Sequence, residues 1–254
     1  MKDHLRQEGK FTYLEKGEGT PIVILHGLMG GLSNFDGVTS YFPENGYKVL
    51  IPELPLYSMS LLKTSVGTFA KYLKEFIDFK GYEKVILLGN SLGGHIALLA
   101  TKMFPETVEA LVITGSSGLY ENAMGESYPR RGDYEFIKKK AEAVFYDPKV
   151  ATKEIVDEVY ETVSDRNKLV KTLAIAKSAI RHNMAKDLPK MQTPTCVIWG
   201  KNDSVTPPEV AEDFQRLLPD ADLYWIDKCG HAAMMEHPEE FNQILHDWLK
   251  GRDI

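Results

Sequence analysis

Residues 84–100 read KVILLGNSLGGHIALLA, a short apolar run, a serine set among three glycines, and a second apolar run. One glycine suffices for an ordinary turn. Three around Ser91 point to a tight strand-to-helix turn cleared of neighbouring side chains. The first run, 84–90, is near-continuously apolar, which suits a strand buried on both faces. Four more runs resemble it: PIVILHG (21–27), YKVLIPEL (47–54), VEALVITGSS (108–117) and TPTCVIWG (193–200). ADLYWID (221–227) reads as the last strand, and the first twenty residues, with the turn EKGEGT, as a hairpin leading in. Helical patterns lie between the strands. Phe69, Tyr72, Leu73, Phe76 and Ile77 share one face at 3.6 spacing, as do Phe241, Ile244, Leu245 and Trp248. TPPE (206–209) reads as a helix start, with Thr206 as cap, Pro207 in the first turn and Glu209 closing a capping box. Strands alternating with helices imply βαβ units and a mostly parallel sheet.

One interval breaks this rhythm. The stretch from Ser117 to Pro194 is far longer than one crossover helix needs. Three amphipathic patterns fill it. Phe136, Ile137, Ala141, Val144 and Phe145 form the first; Ile155, Val156, Val159, Tyr160 and Val163 the second; Leu169, Leu173, Ala176 and Ile180 the third. The insertion leaves the sixth strand at its C-terminal end, the edge where open α/β sheets bind ligands. A helical lid is therefore expected there. The expected division is a core of residues 1–118 and 190–254 and a helical cap of residues 119–189.

A chain of 254 residues fits one large domain or one domain carrying such an insertion. Its net charge of −6 argues against nucleic acid or an anionic membrane as the main partner. Two cysteines, Cys196 and Cys229, are too few for a disulfide framework, lack zinc-ligand spacing, and read as buried thiols. No metal site follows from the sequence. The start MKDHLRQEGKF has no apolar signal core, and no run is long enough to span a bilayer, so a cytoplasmic location is expected.

A serine hydroxyl is a weak nucleophile and needs a base, and the base an orienting acid. Ser91 sits where a strand hands over to a helix, the setting a nucleophile elbow requires. Chain order on such a scaffold is serine, acid, histidine. WGKND supplies Asp203 just past the strand at 193–200, although Asp also caps ordinary turns. CGHAAMMEHP supplies His231 after the last strand; its rival His237 precedes Pro238 at a helix start and reads as structural. An oxyanion hole needs two backbone N–H groups. Leu92 follows the nucleophile, and Leu28 lies in HGLMGG (26–31), the loop after an early strand. His26 is expected to hold that loop by a hydrogen bond, and His95 to pack.

Strand-HGLMG, GNSLGG, WGKND and CGHAAMMEHPEEF together resemble the α/β-hydrolase fold, in its lidded branch of serine esterases and carbon–carbon hydrolases. The resemblance spans nearly the whole chain. It implies Ser91 as nucleophile, Asp203 as acid, His231 as base and the Leu28 and Leu92 amides as oxyanion donors. It implies no metal and no organic cofactor. The expected activity is hydrolysis of a carboxylic ester or related small acyl compound, by a monomer or small homo-oligomer.

The chain departs from the family pattern in the pocket. Many relatives carry Asp-x-Pro-Gly-x-Gly-x-Ser where this chain has PELPLYSMS (52–60); Glu53 replaces the acid and Tyr57 stands near the missing glycine. GNS is similar to carbon–carbon hydrolases acting on ring-cleavage products, but those have a richer glycine run and a tryptophan where this chain has Ala232. Met29, Tyr57 and Met234 are candidate pocket residues, with Met235 beside them. Arg130 or Arg131 could meet an anionic substrate from the lid, as could Arg181, while Lys138–Lys140 read as solvated. A hydrolase-fold receptor with slow turnover is the remaining alternative.

Overall fold

The computed structural model describes residues 5–120 and 132–254. The N-terminal hairpin comprises β1 (Leu5–Glu8) and β2 (Phe11–Lys16), followed by β3 (Thr20–Leu25), β4 (Tyr47–Pro52), β5 (Val85–Asn90), β6 (Val108–Thr114), β7 (Thr195–Gly200) and β8 (Ala221–Ile226). The core helices are α1 (Asp36–Tyr41), α2 (Val66–Phe79) and α3 (Leu92–Met103). Between β6 and β7 lie α4 (Tyr134–Glu142), α5 (Lys153–Ser164) and α6 (Arg166–Arg181). The chain ends with α7 (Pro208–Leu217), α8 (Ala233–Glu236) and α9 (Pro238–Gly251).

The sheet order is β1-β2-β4-β3-β5-β6-β7-β8. The hairpin pairs antiparallel, and every pair from β4 onward is parallel. Central strands read as apolar runs because both faces are covered. Alternate residues divide between the faces: Val23, Leu25 and Leu87 join one apolar cluster, Ile22, Ile24, Ile86 and Leu88 the other. Helices α2 and α3 contribute Phe69, Leu73, Phe76, Ile96 and Ala97 to the first cluster; α1 and α9 contribute Val38, Phe241, Leu245 and Trp248 to the second. Each fully buried large side chain contributes about 1.5–3 kcal/mol. The α2 and α9 stripes read from spacing are thus the faces that cover the sheet.

The position of a site follows from strand order. β3 is flanked by β4 on one side and β5 on the other, so successive connections turn in opposite directions there. Loops leaving such neighbours diverge and open a crevice at the C-terminal edge. Leu25 is level with Gly89, Asn90 with Thr114, and Gly200 with Ile226, so the ends of five strands meet along one rim.

Helices α4 and α5 have a small cluster of their own, Ile137, Val159 and Val163, with Phe136, Tyr160 and the loop residue Met29 packed against it, while Ile175 and Ala179 of α6 join the first core cluster. Asp133, Thr152 and Asp165 cap α4, α5 and α6 with side-chain oxygens. The inserted helices therefore have local start signals; α4 and α5 share a core that rests on the loop after β3, and α6 packs on the main core.

Helix α7 starts one residue later than its sequence suggests. Its N-cap is Pro207 and no side chain caps it. Thr206, expected as that cap, instead gives its hydroxyl to Asp203 Oδ2 at 2.8 Å. Donation to the carboxylate orients the hydroxyl toward Asp203, so its oxygen does not accept a first-turn amide of α7 as a cap would.

Candidate active site

Ser91 occupies a backbone conformation that side chains avoid, φ 55° and ψ −119°. Such strain persists only where the surroundings over-determine it. Here Ser91 N–H donates to Thr114 O (3.1 Å), and Ser91 O accepts from the Ser117 (3.2 Å) and His95 (3.2 Å) amides. The turn is also sterically walled. A Cβ at Gly89 would lie 2.4 Å from Gly93 O, and one at Gly93 would lie 2.1 Å from Leu25 O. Both positions require glycine if α3 is to start so close to β3 and β5. The α3 N-terminus then faces the rim with its first amides free of intrahelical partners.

Among the described residues, the Leu92 N–H, first in α3, donates to no carbonyl, and neither does the Leu28 N–H. The Gly27–Leu28 peptide is oriented by its other end. Gly27 O accepts from His26 Nδ1 (2.9 Å) and from Gly30 N (3.2 Å). In a trans peptide the following N–H then points the opposite way. Gly27 lies against Ser91, since a Cβ there would sit 3.3 Å from Ser91 Cβ. His26 is buried, and burial holds its pKa below the usual 6.5, keeping it a neutral hydrogen-bond donor.

Asp203, three residues past β7, and His231, five past β8, are both buried. His231 Nδ1 lies 2.9 Å from Asp203 Oδ2. Asp203 Oδ1 accepts the Val205 (2.8 Å) and Thr206 (2.9 Å) amides, and Thr206 Oγ1 lies 3.2 Å from Nδ1. A carboxylate with its lone pairs so occupied cannot rotate, and it holds the imidazole with Nε2 free. The two loops are tied together by Asn202 N to Cys229 O at 2.8 Å. Asn90, just before Ser91, donates through Nδ2 to His231 O (3.2 Å) and Thr114 O (3.1 Å). Ser91 Oγ itself makes no hydrogen bond among the described residues, and a longer nucleophile–base contact is common without substrate.

A cleft of about 350 Å³ runs from His26, Leu28 and Met29 past Leu54, Leu56 and Tyr57 to Glu158, Glu161 and Lys168 on the inserted helices. Ser91, Asp203 and His231 do not line it; the cleft approaches them from the oxyanion-loop side. Tyr57 OH donates to Leu28 O at 3.3 Å and lies 3.4 Å from Thr172 Oγ1 of α6. Met234, expected at the pocket, is buried in the core cluster beneath the rim with Phe35 and Phe241. The one-turn helix α8 rotates it inward while Met235 is only partly covered. Arg130 and Arg131 lie outside the described residues. Lys138–Lys140 and Arg181 are exposed. His237 Nε2 bonds Lys228 O at 3.0 Å, away from Asp203. Cys196 and Cys229 are buried free thiols, and no cluster of metal-binding side chains occurs among the described residues. Among these residues, no helix is long and apolar enough to cross a membrane.

Sequence reasoning missed Thr206 and Asn90 as partners of the acid and base loops. It also assigned His95 only to packing. His95 is fully buried; Nε2 reaches His182 O at the end of α6 (2.9 Å) and Nδ1 reaches Ser117 Oγ (3.4 Å). Burial pushes its pKa down from 6.5 to about 4. As pH falls, the unfolded chain takes up this proton first. Stability is therefore lost between pH 6.5 and about 4, and the loss stops below that. The full effect is about 3 kcal/mol. Melting curves across this window should show the wild type losing more stability than His95→Gln, whose amide can keep the His182 bond without titrating. Parallel curves for the two proteins would refute this assignment.

The model of the alpha/beta hydrolase fold matches residues 20–238. The chain belongs to the α/β-hydrolase family. An α/β hydrolase of known structure, MGS-MChE2 from a sediment metagenome of the Mar Chica lagoon, Morocco, is 80% identical over 99% of this chain and 100% of its own, with a TM-score of 0.84. A 2-hydroxy-6-oxononadienedioate/2-hydroxy-6-oxononatrienedioate hydrolase of a Pseudomonas species is 28% identical over 95% of this chain and 92% of its own. The protein of the same name from Paraburkholderia phymatum is 30% identical over 95% and 91%. The α/β-hydrolase scaffold of this chain thus agrees with the strand order and the elbow.

Proposed function

We propose that this α/β hydrolase cleaves a small uncharged carboxylic ester through an acyl-enzyme on Ser91. The observation that carries the proposal is the Asp203–His231 pair, 2.9 Å apart and buried, on the same rim as a strained serine. His231 Nε2 takes the Ser91 proton as Oγ adds to the carbonyl carbon. The Leu28 and Leu92 amides receive the oxyanion. His231 passes its proton to the departing alkoxide, and the acyl group stays on Ser91. It next activates a water, which releases the acid and regenerates the serine. Asp203 keeps the imidazole in the tautomer that can accept at Nε2 and stabilises its cation.

The cleft's charge supports an uncharged substrate. Among its described lining, Glu53, Glu158 and Glu161 face one ammonium, Lys168. A dicarboxylate would meet like charge there, although exposure screens the effect. A second reading is hydrolysis of a carbon–carbon bond in a ring-cleavage product. It is favoured by the curated relatives, whose names carry that activity over most of their length. The same serine would add to the ketone, and the carbon leaving group would need a place for its electron pair and then a proton.

Parallel kinetics decide between them, with a short p-nitrophenyl ester and a 2-hydroxy-6-oxo-dienoate as substrates. The expected result is kcat/KM at least about 10⁴ M⁻¹s⁻¹ on the ester, within the ordinary enzyme range, and well below that on the dienoate. The reverse order would establish the second reading. Turnover of neither, with tight binding of a small ligand, would favour a receptor.

A further inference from the structure

Glu236 lies outside the triad and outside the cleft, yet its carboxylate joins two parts of the molecule. Oε1 accepts the Gly230 amide at 2.8 Å. Oε2 accepts the amides of Tyr146 (2.9 Å) and Asp147 (3.2 Å), just beyond α4. Gly230 immediately precedes His231. The neighbouring bonds follow the same line. His231 N donates to Val144 O at 2.9 Å, and Ser204 Oγ, next to the acid, donates to Ala143 O at 3.0 Å. The two segments meet so closely that a Cβ at Gly230 would lie 2.5 Å from Val144 O. The end of α4 is therefore fastened onto the loops that carry Asp203 and His231.

We propose that Glu236 is a positioning residue. It clamps the end of α4 to the base loop, so that the orientation of His231 depends on the inserted helices staying docked at this end. The proposal rests on His231 being the base. A carboxyl group that accepts at both oxygens suits the clamp. Its two oxygens face three N–H donors on opposite sides. A glutamine amide would turn its own N–H₂ toward donors on one side or the other.

Glu236→Gln tests this. Two readouts are taken on the same samples: hydrogen exchange of the amides at 145–147 and 230–231, and the rate constant for fluorophosphonate labelling of Ser91 per active site. Counting active sites by labelling amplitude removes any unfolded fraction from the rate. The expected result is loss of protection at both segments and a labelling rate about 10- to 100-fold lower, the scale of a misplaced catalytic group. The ester KM should stay within about twofold, because Glu236 does not line the cleft. Unchanged exchange with a labelling rate within twofold of wild type would overturn the proposal. If Glu236→Gln does not fold, Glu236→Asp, charged but too short to reach both segments, should give the same two losses. If the wild type is not labelled at all, the function reading fails, and unchanged exchange in the variant would then refute the clamp by itself.

Discussion

Replacing Ser91 with alanine is expected to lower kcat by about 10⁴- to 10⁶-fold, the range for loss of a triad nucleophile. Folding should hardly notice. Ser91 Oγ has no hydrogen bond to lose among the described residues, and alanine has the same Cβ to accommodate at φ 55°. Ester turnover and thermal melting, measured on one preparation, check both halves. A residual activity above about 1% of wild type would place the nucleophile elsewhere. The backbone gives an internal control. Ser91→Gly should be equally inactive but more stable than Ser91→Ala by about 1 kcal/mol, since glycine adopts this conformation without strain. A gain in stability with loss of activity would identify strain kept for function.

Asp203→Asn should lower kcat by about 10⁴-fold with little change in KM. The carboxylate has four donors around it: two amides on Oδ1, and the Thr206 hydroxyl and His231 Nδ1 on Oδ2. An asparagine must turn its N–H₂ toward one side. Facing the two fixed backbone amides is the costlier choice, so the N–H₂ points at His231. Nδ1 must then accept, the proton moves to Nε2, and Nε2 can no longer take the Ser91 proton. Fluorophosphonate labelling of Ser91 should slow in step with kcat, which separates this tautomer effect from lost substrate binding. Equal labelling rates in Asp203→Asn and wild type would remove Asp203 from the site.

Much of the architecture is legible in single-stretch patterns. The buried strands announce themselves as apolar runs because neighbouring strands and helices cover both faces. The α2 and α9 stripes follow the helical period because only one face of each helix meets the sheet. The elbow is legible for a related reason. Its constraint is local and steric, so it must be written in adjacent glycines around Ser91. Asp203 and His231 could be singled out because each follows a strand, and parallel strands deliver their C-terminal ends to one edge.

The contacts that complete the candidate site have no such signature. Thr206 reads as a helix cap by its neighbours, and only the folded position of Asp203 turns its hydroxyl aside. Met234 and Met235 are equivalent in sequence, and the orientation of a one-turn helix decides that Met234 joins the core. Tyr146 and Glu236 are 90 residues apart, a separation at which no periodicity links donor to acceptor. The sequence by itself determined the sheet, the strained turn and the order of serine, acid and histidine, because those depend on periodicity, local sterics and chain direction. Tertiary structure alone decided which side chains support the acid and base and where the inserted helices are fastened, because a hydrogen bond is specified by position in space, and residues far apart in the chain share a position only after folding.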